Sequence, residues 1–258
     1  MLGRDSSAHA DADPPDRARH IGGLLGNVHV PGAPASAEQH PRRTRRGLTL
    51  MEGGCHIPEM NAIRTLCVYC GSSLGTDPAF ADAAQKLGML LARNNIGLIY
   101  GGGSLGLMGT LASSVLDHGG RVTGIIPEFL TGKEQVMTRA QEVVVTHDMH
   151  ERKRIMFERA DAFAALPGGI GTLEELVEQL TWAQLGRHHK PIIILNIKRF
   201  WDPLLALLDH MRVLGFIRSE LAVEVVVVNR VEHVVPKVTS LLRSRPPADE
   251  AASPIKRM

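Results

Sequence analysis

The sequence predicts an α/β fold in which helices cover both faces of a doubly wound, mostly parallel sheet. From residue 63 onward, short runs of aliphatic and β-branched residues alternate with segments of helical periodicity, and glycine-rich turns follow several of these runs. Aromatic residues make up only 4% of the chain, whereas the aliphatic residues typical of parallel strands buried on both faces are abundant. Alternating strands and helices favour parallel pairing through crossover helices.

The apolar runs and the capping signals place the individual elements. Asp77-Pro78 is a predicted helix start, because Asp is a preferred N-cap and Pro suits the first helical position. Strands are predicted at 63–70, 97–100, 121–127, 142–146, 161–166, 191–196 and 223–228. Helices are predicted from 78 to 93, around Leu111 and Val115 up to about Gly119, and at 149–159, 172–185, 201–214 and 231–242, with a polar loop at 128–140.

The domain organisation follows from a change in composition near residue 60. Residues 1–60 are rich in Ala, Pro, Asp, Arg and Gly and lack sustained periodicity, so they are predicted to be a disordered extension. Aspartates near the N-terminus disfavour a transit peptide, and a solvated tail is preferred over a partner-binding basic segment. One nucleotide-binding domain is expected at 61–243, followed by a tail at 244–258.

Composition and charge exclude several classes of protein. The net charge of +2 offers no basic surface for nucleic acid, and no apolar run approaches the ~20 residues that span a bilayer. Three cysteines fit a reducing cytoplasm. Cys67 and Cys70 fall three apart in one predicted strand and so on opposite faces, which favours two buried thiols over a redox pair. The histidines show no metal-ligand spacing, and His188-His189 is interpreted as solvated.

Three glycine-rich turns between strand and helix, at Gly71, Gly101 and Gly168, point to a phosphate-containing ligand. The amides that open a helix lack intrahelical partners and lie at the positive end of its dipole, which suits a phosphate. All such turns emerge at the carboxyl edge of a parallel sheet. No G-x-x-x-x-G-K-[ST] motif is present, which excludes a P-loop NTPase, and no acid follows Gly101–Gly106 at the spacing that NAD binding requires.

Two charged stretches accompany these turns. Asp148–Arg154 starts a helix with a capping box and three basic residues. Cations there oppose the helix dipole, so they indicate either a bound anion or pairing with Glu151 and Glu158.

Glu175 has two interpretations. Thr172 and Glu175 match a capping box, which would make Glu175 a capping residue. Helical geometry instead places Glu175 opposite the face formed by Leu173, Leu176, Val177 and Leu180. Trp182 and Leu185 lie near that opposite side, so we expect this helix to pack on a second subunit with Glu175 bordering a cleft near the interface.

Several motifs resemble one known family. Pro167–Glu175 is similar to the P-G-G-x-G-T-x-x-E signature of the LOG (Lonely Guy) proteins, and Met149–Lys153 to their M-H-x-R-K. Tyr100–Gly109 resembles their first glycine loop, and Val68–Ser73 and Thr181–Gly186 agree as well. The likeness covers about residues 61 to 240, with all motifs in order.

The resemblance implies a Rossmann-like homodimer. LOG proteins hydrolyse the N-glycosidic bond of cytokinin riboside 5′-monophosphates to an adenine-type base and ribose 5-phosphate, and bacterial members often act on AMP as well. Many were once labelled lysine decarboxylases. No lysine here clearly suggests a Schiff base, so neither pyridoxal phosphate nor any other cofactor is expected, and no metal.

Carried over through the motifs, Arg152 and Glu175 are the implied catalytic pair. The implied substrate contacts are Gly71, Ser72, Gly102, Gly103, Glu134, Met149, Lys153, Gly168, Gly169, Ile170, Gly171, Thr172, Leu173, Glu174 and Thr181. The alternative is a nucleotide or pterin-cofactor carrier on the same fold, which need not keep Arg152 and Glu175.

Overall fold

Seven parallel strands form one sheet within the part of the chain that the computed structural model describes, residues 63–132, 135–217 and 225–244. Each pair of neighbouring strands is parallel, and the spatial order is β4-β3-β2-β1-β5-β6-β7. The strands are β1 (Thr65–Tyr69), β2 (Gly97–Tyr100), β3 (Val122–Pro127), β4 (Glu142–Thr146), β5 (Ala162–Ala165), β6 (Ile192–Leu195) and β7 (Val226–Val228). The predicted parallel sheet is confirmed.

The described helices agree with the predicted ones to within a few residues. They are α1 (Pro78–Arg93), α2 (Gly106–Asp117), α3 (Glu128–Thr131), α4 (Met149–Arg159), α5 (Ile170–Gln184), α6 (Asp202–Val213) and α7 (Val234–Arg243). Two differences matter. The predicted loop at 128–140 contains the short helix α3, and α5 begins two residues earlier than predicted. None of these helices is long and apolar enough to cross a membrane.

Two hydrophobic clusters, one on each face of the sheet, account for the doubly wound architecture. On one face α1, α2 and α7 pack through residues such as Leu87, Leu111 and Val238. On the other face Met156 of α4 and Leu176 of α5 pack against the sheet. Helices on both faces are the expected outcome of right-handed crossovers that run in opposite directions from the centre of the sheet.

The strand order reverses between β1 and β5. From β1 the chain moves outward through β2, β3 and β4, and it then returns to the centre to build β5, β6 and β7 on the other side. In open α/β sheets ligands bind at the carboxyl edge beside such a reversal. The glycine turns that follow β1 and β5 flank this point.

The cysteine prediction is confirmed, whereas the histidine prediction holds for the exposed His189 and is wrong for His188. Cys67 and Cys70 are buried free thiols that belong to the clusters on opposite faces of the sheet. His188, predicted to be solvated, is buried, and its Nδ1 accepts from the Lys190 amide at 3.1 Å. Its Nε2 therefore carries the proton and donates to the Gln179 carbonyl at 3.2 Å. The predicted extension 1–60, the tail beyond residue 244 and Glu134 lie outside the described residues.

Candidate active site

The turns after β1 and β5 are in direct contact. The Gly71 amide donates to the Pro167 carbonyl at 3.1 Å. A Cβ on Gly168 would lie 2.2 Å from Thr172 Oγ1 and 2.9 Å from the Gly71 nitrogen. Gly168 is therefore required by the close approach of two backbone segments, which fixes the two turns relative to each other.

The turn after β2 joins the other two. Gly106 has a φ of +60°, and a Cβ there would lie 2.2 Å from the Ser72 carbonyl carbon. The Met108 amide donates to the Gly71 carbonyl at 3.2 Å, and Met137 donates to the Gly102 carbonyl at 3.0 Å. The three glycine turns thus lie together at one edge of the sheet, as the sequence predicts.

The first turn of α5 leaves three amides without an acceptor inside the helix. Gly169 is its N-cap, and the first intrahelical bond runs from the Leu173 amide to the Gly169 carbonyl at 3.0 Å. The amides of residues 170–172 therefore have no acceptor within the helix. Gly169 and Gly171 avoid positive φ, and a Cβ on either would meet no atom within 4 Å. Neither packing nor backbone conformation demands these glycines, and each borders open space at the start of the helix.

A cleft of about 220 Å³ lies where these turns meet. Its polar side consists of Gly71, Ser72, Ser73, Gly168 and Gly169, and its apolar side of Leu74, Phe80, Leu107 and Phe200. The Phe80 and Phe200 rings meet edge to face at 5.8 Å. Since small-molecule pockets commonly measure about 300–1,000 Å³, this cleft suits one end of a nucleotide. Sequence reasoning missed its two aromatic residues, which carry no motif.

Arg152 of α4 and Glu175 of α5 form a buried ion pair. Arg152 Nη1 lies 3.1 Å from Glu175 Oε1, and each side chain is only 9% exposed. Arg152 Nε donates to the Ile125 carbonyl at 3.0 Å, which orients the guanidinium. Two residues far apart in sequence and predicted to act together therefore do meet.

Gly101 makes the space for this guanidinium. A Cβ on Gly101 would lie 2.4 Å from Arg152 Nη2 and 3.0 Å from Met108 Sδ. Gly101 therefore makes room for the Arg152 guanidinium. This steric role differs from the substrate contact predicted for Gly102 and Gly103.

The burial pattern of α5 differs from the predicted one. Its buried residues are Thr172, Glu175, Leu176, Gln179 and Leu180. Glu175 therefore shares the buried stripe with two leucines instead of lying opposite them, and Val177, placed on the apolar face by its chemistry, is 40% exposed. Thr172 is the third residue of the helix and not its cap, so the capping interpretation of Glu175 is wrong.

Each basic residue at the start of α4 has a carboxylate partner. Arg154 pairs with Glu158 at 3.3 Å on the surface, as the charged-turn interpretation predicts. Lys153 instead reaches α5, where its Nζ lies 2.5 Å from Glu174 Oε1 and 3.0 Å from Glu178 Oε1. The cap is also present, since Asp148 Oδ1 accepts from the Glu151 amide at 2.8 Å.

Glu175 influences the ionisable groups at the end of β1. Burial raises the pKa of the Cys70 thiol, and the nearby Glu175 carboxylate raises it further. Burial likewise raises the pKa of Cys67, and Glu175 again adds to the shift. Both thiols therefore stay neutral. The described residues contain no cluster of His, Cys, Asp and Glu that would hold a metal ion.

Some predicted contacts lie away from this pair. The Thr181 side chain is exposed, and its hydroxyl donates to the Val177 carbonyl at 2.8 Å. Ile170 is 82% exposed at the start of α5, and Leu173 packs partly into the core. Met149 lies close to the pair, because its Sδ is 3.7 Å from Arg152 Nη1.

Comparison with known proteins identifies the family. The family described as "Possible lysine decarboxylase" matches residues 108–238, about half of the chain. The cytokinin riboside 5′-monophosphate phosphoribohydrolase LOG3 of Arabidopsis thaliana is 47% identical over 66% of this chain and 78% of its own length. A cytokinin riboside 5′-monophosphate phosphoribohydrolase of Rhodococcoides fascians is 42% identical over 69% of this chain and 90% of its own. The chain belongs to the LOG family.

Solved structures support the α/β fold independently. The molybdenum cofactor binding protein of Rippkaea orientalis has a TM-score of 0.55 and 23% identity, covering 70% of this chain and 98% of that protein. At this identity the similarity concerns the fold alone. The LOG motifs at 149–153 and 167–175 fall within residues 108–238, which the family model matches.

Proposed function

We propose that this protein hydrolyses the N-glycosidic bond of adenosine 5′-monophosphates, with or without an N6 substituent, to the free base and ribose 5-phosphate. The observation that carries the proposal is the buried Arg152–Glu175 pair at 3.1 Å, set beside three interlocked glycine turns. The relatives in Arabidopsis and Rhodococcoides carry names that state this reaction for cytokinin nucleotides.

The chemistry matches the two side chains. Breaking a bond between ribose and base builds positive charge on the sugar, as in glycoside hydrolysis. Glu175 stabilises this charge and orients or deprotonates the attacking water. Arg152 holds oxygens of the substrate in place, and the Ile125 carbonyl keeps its guanidinium oriented.

The amides at the start of α5 hold the 5′-phosphate. The amides of residues 170–172 have no intrahelical acceptor, and Gly169 and Gly171 in the same turn border open space. The helix dipole adds partial positive charge at the same place. The predicted substrate contacts Gly71, Ser72 and Gly168 line the adjoining cleft.

Incubation with AMP and with isopentenyladenosine monophosphate tests the proposal. Free base is expected from at least one nucleotide, together with an equal amount of ribose 5-phosphate, and both are measured by chromatography. The Arg152→Lys variant, which keeps the charge but loses the planar donor geometry, should release far less base. A folded wild-type protein that releases no base from either nucleotide, yet binds them, would support the carrier alternative instead.

The carrier alternative has weaker support. Structural neighbours whose names state that they bind or carry molybdenum cofactor share the fold at 20–23% identity, and this similarity does not extend to their ligand. A carrier has no use for a carboxylate and a guanidinium held together in a buried site, because such a pair is costly to desolvate. The hydrolase therefore explains more of the structure.

We further propose that the protein is a cytoplasmic homodimer whose subunits meet through α5 and α6. Leu185 at the end of α5 is 66% exposed, as predicted, and Leu207 and Met211 on α6 are exposed as well. Trp182 differs from the prediction, because its ring is partly buried edge to face against Phe157 at 5.0 Å. The free thiols of Cys67 and Cys70 suit a reducing compartment.

Leu207→Lys and Val177→Lys together are expected to convert the dimer into a monomer, since charges would replace exposed apolar side chains at the proposed interface. Light scattering after size exclusion measures the mass of each form. Lys86→Glu on α1, on the opposite face of the sheet, serves as the control and should remain dimeric. A wild-type protein that elutes as a monomer would contradict the dimer proposal. It would not contradict the proposed reaction.

A further inference from the structure

Consecutive residues of α4 bind consecutive residues of α5. Arg152 pairs with Glu175, and Lys153 pairs with Glu174 and Glu178. We infer that Lys153 and Glu178 are positioning residues that hold α4 against α5 so that Arg152 meets Glu175, and that Lys153 does not contact the phosphate. The inference rests on the proposed function, and it replaces the predicted role of Lys153 as a substrate contact.

The charge balance around Lys153 argues against a phosphate there. Its side chain is only 11% exposed, and two carboxylates lie within 3.0 Å of its single ammonium group. Burial opposes this positive charge, but the hydrogen bonds to Glu174 and Glu178 outweigh burial and raise the pKa of Lys153. The ammonium is already over-neutralised, so a phosphate dianion approaching it would be repelled by the second carboxylate.

The carboxylates of Glu174 and Glu178 are both positioned to bind the Lys153 ammonium group. Glu174 and Glu178 are four residues apart on α5 and therefore neighbours on one side of the helix. Glu178 is the more enclosed of the two, with a side chain 20% exposed compared with 49% for Glu174. Its Oε2 is buried and has no hydrogen-bond partner among the described residues. Lys153 thus holds the Glu178 carboxylate in this enclosed position through an ion pair at 3.0 Å.

The anion-binding surface lies elsewhere in the site. The amides of residues 170–172 have no acceptor within α5, whereas Lys153 is paired with two carboxylates. Phosphate at the glycine turns and a net negative charge beside the sugar suit a reaction in which the ribose becomes positive. The Lys153 cluster therefore sets the geometry of the catalytic pair and leaves the phosphate to the backbone.

The two possible roles of Lys153 predict opposite results for Glu178→Gln. If Glu178 and Lys153 position Arg152, weakening their ion pair lowers kcat for AMP, by about tenfold, since small misplacements of catalytic groups are costly. KM and the Kd for ribose 5-phosphate should then change less than about twofold. If Lys153 instead binds phosphate, Glu178 competes with the phosphate, and Glu178→Gln should tighten ribose 5-phosphate binding.

The experiment compares Glu178→Gln, Lys153→Met and the double variant with wild type. Steady-state kinetics with AMP gives kcat and KM, and calorimetry gives the Kd for ribose 5-phosphate. Glu158→Gln, which alters the exposed partner of Arg154 one helix turn away, is the matched control and should behave as wild type. If Lys153 and Glu178 act through one ion pair, the kcat of the double variant should be no lower than that of Lys153→Met alone. Weaker ribose 5-phosphate binding in Lys153→Met, by tenfold or more at unchanged kcat, would overturn the inference.

A ligand-free measurement separates this inference from the proposed function. Both single variants should lower the midpoint of thermal unfolding, and the double variant should fall short of the sum of the two shifts. Additive shifts would refute the ion-pair coupling even if the enzyme were fully active. A wild-type protein without hydrolase activity would overturn the proposed function, and the unfolding data would still decide whether Lys153 and Glu178 act as a pair.

Discussion

Glu175→Gln is expected to lower kcat for nucleotide hydrolysis by about 10²–10⁴-fold, the range typical of a lost catalytic carboxylate. The variant keeps the size of the side chain and a hydrogen-bond acceptor for Arg152, whose Nη1 lies 3.1 Å from Glu175 Oε1. It removes the negative charge that faces the developing cation on the ribose. Base release from AMP, followed under single-turnover and steady-state conditions, measures the loss.

A folding defect must be separated from a catalytic one. Removing one partner of a buried ion pair costs about 3–5 kcal/mol of stability, so activity is compared below the thermal midpoint of the variant. Glu158→Gln, an exposed glutamate on α4, is the matched control. If Glu175→Gln hydrolysed AMP at the wild-type rate while correctly folded, Glu175 would have only a structural role.

AMP is expected to have a kcat/KM at least about 10³-fold higher than adenosine. The phosphate lies away from the bond that breaks, and binding energy from such a remote group is used to position the reacting atoms. The anchor is the first turn of α5, where three consecutive amides lack intrahelical acceptors. Release of adenine from both compounds under the same conditions measures the ratio, and equal rates would refute the phosphate anchor.

Gly171→Val provides a matched test of the same anchor. A Cβ at this position would meet no protein atom within 4 Å, so the fold should tolerate the side chain. The added methyl groups would extend into the open space at this turn, where the phosphate is proposed to bind, and remove most of the advantage of AMP. Adenosine hydrolysis by the same variant is the internal control and should change little.

The fold was predictable because local signals and global packing agree in this chain. The predicted bounds of α4 are the observed ones, and its Asp148 cap is present. The start of α5 was missed because Thr172 has the chemistry of an N-cap, whereas the extended backbone at Gly169 takes that place. The approximate span of a helix was thus easier to predict than which of two nearby residues caps it.

The site was predictable only in part, because apolar character is a poor guide to burial there. Thr172, Glu175 and Gln179 occupy the buried stripe of α5 between leucines, so a face chosen by hydrophobicity includes the exposed Val177 instead. The role of Gly101 depends on a side chain 51 positions away, since its missing Cβ leaves room for Arg152. Glu178 carries no motif, and only the folded chain shows that it contacts Lys153.

The contact of Gly106 with Ser72 has a consequence for how substrate choice diverges in this enzyme. Gly106 and Gly168 cannot change without loss of the turns they join, because any side chain at either position would collide with a neighbouring segment. Selection can therefore act on residues such as Phe80 and Phe200 in the adjoining cleft without loosening the grip on the sugar phosphate. New base preferences can arise on an unchanged anchor.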